Sequence, residues 1–543
     1  MNNKLSDYFF AFDSDSFDET KTKLYGYTIS KENNKISFSD KTENIIGGCY
    51  ILVEKQNDAI TIKQDELSSL YLYYYKEDGY WAVGNSFYDL CRLLVEKGKH
   101  LTVRNLYIDQ YIHQAMKVFS RTRSMVEEIR IMECFSEMRL TKDNLEITKH
   151  DEKLNYIDIN SKEGIGLIDE WIDKWGSIFK TAYDSGVNMQ IDLSGGFDSR
   201  VTFSIANYAG IDLAADNVNI FSKIGGSLGM IRHLDDDYQI AEQIAERLGF
   251  ELNKNTKTFG RKTIPNGSET QYEILRNLFM FTHKEGYLCI GVKSEPSVKV
   301  GGVNGELVRR AFGWVTNENR HAQDPFRFSQ DVIDEHYRDL SELESQTKSI
   351  IERDMIFALE TECKSHFGCS MYNNFLANTF VISPFNDKSL LKLNIDGIDP
   401  SVIFAIIIYR TTPEIFDIDF SSGRSFSDEV KAKAIELCEK YPKDKKTFDY
   451  DCEFNHTLTK PFDTESDGKN GEHVLFDTFI ENRDVFVNYI SGVWGEEYAN
   501  KIYDYAKDFY LNKDNFFPNK WIVVLTSVIE LLKLLGYKLK RRV

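Results

Sequence analysis

The run SGGFDS at residues 194–199 brings two hydroxyls, two adjacent glycines and a carboxylate together in six positions. Those groups suit phosphate. Gly195 and Gly196 let the backbone approach a ligand closely and adopt positive φ. If a helix starts there, its unpaired N–H groups and its dipole favour an anion. Ser194 and Ser199 add hydroxyl donors. Asp198 is misplaced against phosphate unless a magnesium ion stands between the two. The plain alternative is an ordinary strand-to-helix turn with Asp and Ser at helix N-terminal positions.

The flanks supply the elements such a turn needs. Val187, Met189, Ile191 and Leu193 alternate with Asn188, Gln190 and Asp192, a strand pattern. Phe197, Val201, Ile205 and Tyr208 recur at helical spacing, and Gly210 follows as a stop. A helix over 166–184 precedes the strand, and NVNIFS at 217–222 is a second strand. A glycine-rich loop at 224–230 leads to an amphipathic helix with Ile240, Ala241, Ile244, Ala245 and Leu248 on one face, ended by Gly249. Ser268 and Gln271 form a capping-box start for another helix. SVKV at 297–300 is a strand that enters GGVNGE. Alternating strands and helices predict an α/β unit with a doubly wound parallel sheet. Beyond about residue 330 the pattern is mostly helical. The polar stretch 440–472 predicts a long loop or mobile insertion, and 521–537 a strongly apolar core helix.

Residues 1–150 are β-rich instead. CYILVEK, AITIK, LYLYYYK and YWAVGNS are strand-like runs, and Glu77-Asp78-Gly79 is a hairpin turn between the last two. Helices are expected near 86–95 and 103–113, and a closing hairpin around Asp143-Asn144. The outcome is an α+β unit or a small β-sandwich.

The length of 543 residues suggests about two to four domains. Charge and cysteines narrow the function classes. A formal charge of −19 argues against a general nucleic-acid binder and does not favour an anionic membrane surface, although KLKRRV at the end is locally basic. None of the eight cysteines forms a CxxC pair. Cys363 and Cys369 bracket His366, but no second ligand pair has metal-site spacing, and reduced thiols are the plain reading. MNNKLSDYFF lacks an apolar signal core and no stretch reaches membrane-spanning length, so a cytoplasmic protein without a membrane span is expected.

SGGFDSR at 194–200 resembles the pyrophosphate loop of the asparagine synthetase family, within the N-type ATP pyrophosphatases. Asp237 through Ala241 is similar to the Asp-x-x-x-Ala helix that follows the family's second strand, and 301–306 to its later glycine-rich acidic loop. Residues 47–51, 65–71 and 81–86, with Thr122 and Glu128-Ile129, resemble the family's glutaminase-type first domain. The resemblance implies an Ntn-type α+β sandwich over 1–155 and an ATP pyrophosphatase domain, of the adenine nucleotide alpha hydrolase-like kind, over 160–543 with a helical C-terminal part. It implies ATP and Mg2+ as cofactors. Ser194, Gly195, Gly196 and Ser199 would cradle phosphates, with Gly302 beside them. Asp198 and Glu306 would hold the metal, and backbone at Leu193 and Phe221-Ser222 would face adenine. A carboxylate would attack the α-phosphorus to give an acyl-adenylate, and an amine or ammonia would displace AMP to form an amide.

Three departures qualify this. Glutamine-hydrolysing members carry a nucleophilic cysteine after the initiator Met; here Met1-Asn2-Asn3 stands there and the nearest cysteine, Cys49, is in an expected strand. The first domain is then left to pack, to form a homodimer, or to hold substrate. The family's Gly-Asp-Glu becomes Gly305-Glu306, with Arg309 and Arg310 facing phosphate, an acidic substrate or solvent, and an acid used by asparagine-forming members becomes Val303. The family's downstream lysine is replaced by a segment in which Arg424, one position out of register, is the candidate cation. The expected function is an AMP-forming amide synthetase acting on a small-molecule or peptide carboxylate without its own glutaminase. A nucleotide-binding pseudoenzyme or assembly subunit is the alternative. tRNA thiolation fits poorly with an acidic chain lacking a cysteine pair.

Overall fold

The computed structural model describes residues 7–108, 122–149, 156–223, 232–254, 262–263, 269–274, 276–277, 291–292, 296–311, 330–360, 364, 371, 375–376, 378–444, 446–455, 474–511 and 520–536. The loop at 224–230, Ser268, Cys363, His366, Cys369, the predicted domain boundary at 155 and the basic end lie outside them. The protein is mixed α/β, with antiparallel and parallel sheets.

The N-terminal strands are β1 (Ala11–Asp13), β2 (Lys23–Glu32), β3 (Lys35–Ser39), β4 (Ile45–Gln56), β5 (Ala59–Gln64), β6 (Tyr73–Glu77) and β7 (Tyr80–Gly84). Helix α1 (Phe87–Glu96), β8 (Ile129–Ile131), β9 (Ser136–Leu140) and β10 (Leu145–Lys149) follow. β6 and β7 form the expected hairpin, with Gly79 at φ +72° in its turn. Ser86 caps α1, its hydroxyl accepting from the Asp89 N–H at 3.2 Å. The sheet β1-β7-β6-β8 is antiparallel. β2 and β4 pair antiparallel, and where Gly26 (φ +112°) and Gly48 (φ +134°) sit a Cβ would run into the partner strand's backbone. Cys49, in β4, is fully buried.

The second unit begins with β11 (Ile157–Asp158) and α2 (Lys162–Asp184), capped by Ser161. Ile165, Ile168, Trp171, Ile172, Trp175, Ile178 and Phe179 recur at helical spacing and are all buried. Then come β12 (Asn188–Asp192), α3 (Phe197–Tyr208), β13 (Val218–Phe221), α4 (Arg232–Leu248), β14 (Ser297–Val300), α5 (Gly305–Arg309), α6 (Gln330–Glu344), α7 (Ile350–Ala358), β15 (Thr379–Ile382) and β16 (Leu393–Asn394). α8 (Ser401–Thr411), α9 (Asp428–Lys440), β17 (Asp451–Phe454) and α10 (Val474–Glu481) to α13 (Lys520–Leu534) complete the chain. In α13, Ile522, Leu525, Val528, Ile529 and Leu532 are buried, as an apolar core helix requires.

β12, β13, β14 and β15 form a parallel sheet in the order β13-β12-β14-β15. The chain steps outward from β12 to β13, then returns across β12 to place β14 on its other side. The carboxyl ends of β12 and β14 therefore flank the point where strand order reverses, which is where open α/β sheets form their ligand crevice.

One expectation changes in part: the described residues of 441–450 carry no helix or strand, as a loop would, but the stretch is not free of the fold. Within the polar stretch 440–472, β17 pairs in parallel with β3 and completes the first sheet as β10-β9-β5-β4-β2-β3-β17. The stretch is anchored by Lys443 to Asp173 at 2.7 Å and by buried Phe448 against Gly176 of α2. Residues 456–473 lie outside the described set. The two units also meet through the Tyr27 hydroxyl, which donates to the Val381 carbonyl at 2.5 Å, and the Asn386 amide, which donates to the Gly48 carbonyl at 3.0 Å.

Candidate functional site

The turn at 194–199 lies between the carboxyl end of β12 and the start of α3. Its hydroxyls organise it from within. The Ser194 N–H donates to Ser199 Oγ at 3.1 Å, the Gly196 N–H to Ser194 Oγ at 3.1 Å, and the two hydroxyls are 2.7 Å apart. Gly196 is the N-cap of α3 and no side chain caps the helix there. The first turn of α3 thus keeps the orphan donors that favour an anion. Gly195 is required by close packing: a Cβ would come to 2.7 Å from Ser421 Cβ and 2.8 Å from Asp237 Oδ1.

The loop leaving β14 meets the same turn. A Cβ on Gly302 would lie 2.6 Å from the Ser199 nitrogen and 2.7 Å from the Asp198 carbonyl oxygen. Gly302→Ala is therefore expected to push α3 off the sheet, costing about 1–3 kcal/mol by chemical denaturation and weakening nucleotide binding. Wild-type stability in the variant would contradict this packing.

Asp198 and Glu306 come together, as the resemblance implied. Burial raises the Asp198 pKa against the opposing pull of Arg309 and Arg424. Glu306 is pushed up to about 7, chiefly by burial and then by the neighbouring Asp198 charge. Glu306 Oε2 is buried without a hydrogen-bond partner. Arg309 grips both Asp198 oxygens, Nε to Oδ1 at 2.8 Å and Nη2 to Oδ2 at 2.9 Å.

Arg424 sits at this corner on a turn folded against residues 194–199. The Ser421 N–H donates to the Gly195 carbonyl at 2.8 Å, and Arg424 Nε donates to the Ser421 carbonyl at 3.0 Å. The guanidinium lies 5.5 Å from the Phe197 ring centre and remains exposed. Buried Arg200 holds the approach to this turn, donating to the carbonyls of Ile418 at 2.5 Å and Asp419 at 2.7 Å. Phe197 stacks on Phe420 with ring centres 3.8 Å apart.

At the neighbouring strand end, the buried Leu193 donates its N–H to the Phe221 carbonyl at 2.8 Å. The Ser222 N–H and carbonyl are both engaged by the Asn253 side chain, at 3.1 and 2.8 Å, while the Ser222 hydroxyl is buried without a hydrogen-bond partner. Nothing in the sequence marks Asn253 or Ser421 for these positions; both act through contacts distant in the chain. Arg200 did carry a signal, as the last residue of SGGFDSR.

The donor set fits magnesium. This ion takes hard oxygens, commonly one or two carboxylates plus phosphate and water oxygens. Asp198 and the unpartnered Glu306 oxygen meet that need, although no group of three His, Cys, Asp or Glu able to hold a metal occurs among the described residues. Among the described residues Cys49, Cys91, Cys134, Cys438 and Cys452 are free thiols, and no helix is long and apolar enough to cross a membrane. Comparison with protein-family models and with curated proteins finds no match for the chain.

Proposed function

We propose that the chain is an ATP-dependent, AMP- and pyrophosphate-forming amide synthetase of the asparagine synthetase-like kind. Its β-rich first unit is a glutaminase-type sandwich, and its second unit an ATP pyrophosphatase domain. The observation that carries this is the uncapped helix start of α3 at the reversal point of the parallel sheet, faced by Asp198 and the unpartnered Glu306 carboxylate.

Asp198 and Glu306 would hold magnesium, which when bound neutralises charge on departing pyrophosphate. Ser194 and Ser199 shape the turn, and the N–H groups at the start of α3 receive the terminal phosphates. Arg309 orients Asp198 by donating once to each of its oxygens, which leaves each oxygen a second lone pair for a metal. Arg424 supplies positive charge at the mouth. The substrate carboxylate attacks the α-phosphorus, the bond to pyrophosphate breaks, and an amine then displaces AMP. Positioning and charge neutralisation do the work.

One observation favours a second reading. The two-point Arg309–Asp198 contact is also what a nucleotide-binding subunit without catalysis would retain. Incubation with ATP, magnesium and panels of acids and amines separates them. AMP and pyrophosphate in equal amounts support the synthetase. ATP binding without turnover favours the subunit. ADP and phosphate would overturn the adenylate scheme.

A further inference from the structure

A line of buried polar side chains ties the loop that carries Glu306 to the first unit. Asp65, Ser69, Asn386 and Asn304 are each no more than 6% exposed. Asn304, at φ +73°, immediately precedes α5, and its Nδ2 donates to Asn386 Oδ1 at 3.4 Å. Among the described residues that is the one hydrogen bond of its side chain, since its Oδ1 is buried without a partner. The Ser383 hydroxyl holds the same loop by donating to the Val303 carbonyl at 2.5 Å. Asn386 Oδ1 also meets Ser69 Oγ at 3.0 Å, and Ser69 Oγ meets Asp65 Oδ1 at 2.9 Å.

An ionised Asp65 leaves this line one proton short. The Gly48 carbonyl can only accept, so the Asn386 atom facing it at 3.0 Å is Nδ2, and the atom facing Ser69 is an acceptor. A carboxylate at position 65 is an acceptor too. The single Ser69 hydroxyl proton then serves one of them, and lone pairs oppose each other across the other contact. A proton on Asp65 completes the line, Asp65 donating to Ser69 and Ser69 to Asn386. The ionisable groups facing Asp65 are Tyr27 of β2, Tyr50 of β4 and Cys134 ahead of β9; burial raises all three, so none brings a positive charge. Cys134 in turn faces the buried Glu360–Lys364 ion pair at 2.8 Å. Glu66 turns to the Lys388 N–H at 3.2 Å, and Asp387 pairs with Lys174 at 2.6 Å. Burial lifts Asp65 to about 6 against the pull of its hydrogen bonds to Ser69, Leu67 and Tyr50. We propose that protonated Asp65 is a positioning residue for the loop that carries Glu306, acting through Ser69, Asn386 and Asn304. The line is complete at low pH and opens as pH rises through about 6. Its effect on magnesium and ATP rests on the synthetase proposed above; its hold on the loop does not.

Amide hydrogen exchange of residues 301–306 in the full chain, wild type against Ser69→Ala, tests this. Comparison at equal pH cancels the intrinsic pH dependence of exchange and the shared titration of Glu306. Ser69→Ala should speed exchange about fivefold at about pH 5.5, where wild type holds the complete line. At about pH 7.5 the two proteins should agree within about twofold, because wild type has already lost it. The Mg·ATP affinities from calorimetry should follow the same pattern. Equal acceleration at both pH values, or none at the lower one, would overturn the positioning role. Infrared spectra of the chain with carbon-13 aspartate carboxyls should show a carboxylic acid band that fades with a midpoint near 6 and is missing from Asp65→Asn. Absence of that band in wild type would overturn the proton. A wild-type chain that fails to bind Mg·ATP yet keeps the exchange pattern would sink the synthetase alone.

Discussion

Asp198→Asn is expected to abolish magnesium-dependent ATP binding and to lower ATP–pyrophosphate exchange at least about a hundredfold. A preorganised electrostatic group at a developing charge carries effects of that size. The amide keeps the shape of the side chain, so the loss would report charge rather than packing. Burial raises the Asp198 pKa, so its charge carries a net cost that the neutral amide removes, while Arg309 loses its partner. The two effects oppose each other, so the loss of exchange is expected without a matching loss of stability in urea. Exchange at the wild-type rate in Asp198→Asn would remove the metal role from this carboxylate.

Glu306→Gln is expected to stabilise the metal-free protein at high pH and to disable it. The Glu306 carboxyl titrates near 7 in the folded state against an ordinary 4.5. The folded state therefore holds this proton more tightly than the unfolded state does. Below about pH 4.5 both states are protonated and Glu306 exacts no penalty. Between about 4.5 and 7 the penalty grows as pH rises, and above 7 it is complete. Its full size is about 3 kcal/mol. Glutamine carries no such charge, so the variant should exceed wild type by a few kcal/mol at pH 8 and match it at pH 4. Magnesium at pH 8 should raise the melting temperature of wild type and not of the variant. A pH-independent difference between the two proteins would show that Glu306 is not held at high pKa, and an equal magnesium response would place the ion elsewhere.

Local order was legible in the sequence because local forces decide it. Alternation from Val187 to Leu193 reports one strand buried in steps, and the Phe197, Val201, Ile205 and Tyr208 period reports the helix after it. Adjacent glycines between them then leave little but a tight turn with open N–H groups. The Asp-Gly pair at 78–79 set the β6–β7 hairpin for the same reason. Sequence also singled out Asp198, Glu306 and Arg424, and these converge on one corner of the fold.

The tertiary structure decided what each of those groups touches. Arg309 reaches Asp198 across 111 residues, and no helical or strand period could choose phosphate, solvent or carboxylate as its partner. Ser421 docks on Gly195, and Asn253 takes the Ser222 backbone that was expected to face adenine. β17 shows the same physics in the backbone. Its four residues are too polar to announce a strand, yet the exposed edge of β3 supplies partners for their N–H and carbonyl groups. Sequence alone thus determined which residues could hold phosphate and metal, since side-chain chemistry and short-range period are properties of the chain itself. Only folding determined that Asp198 is clasped by Arg309 while Glu306 keeps a buried oxygen without a partner, because burial and charge pairing exist only once distant segments have met.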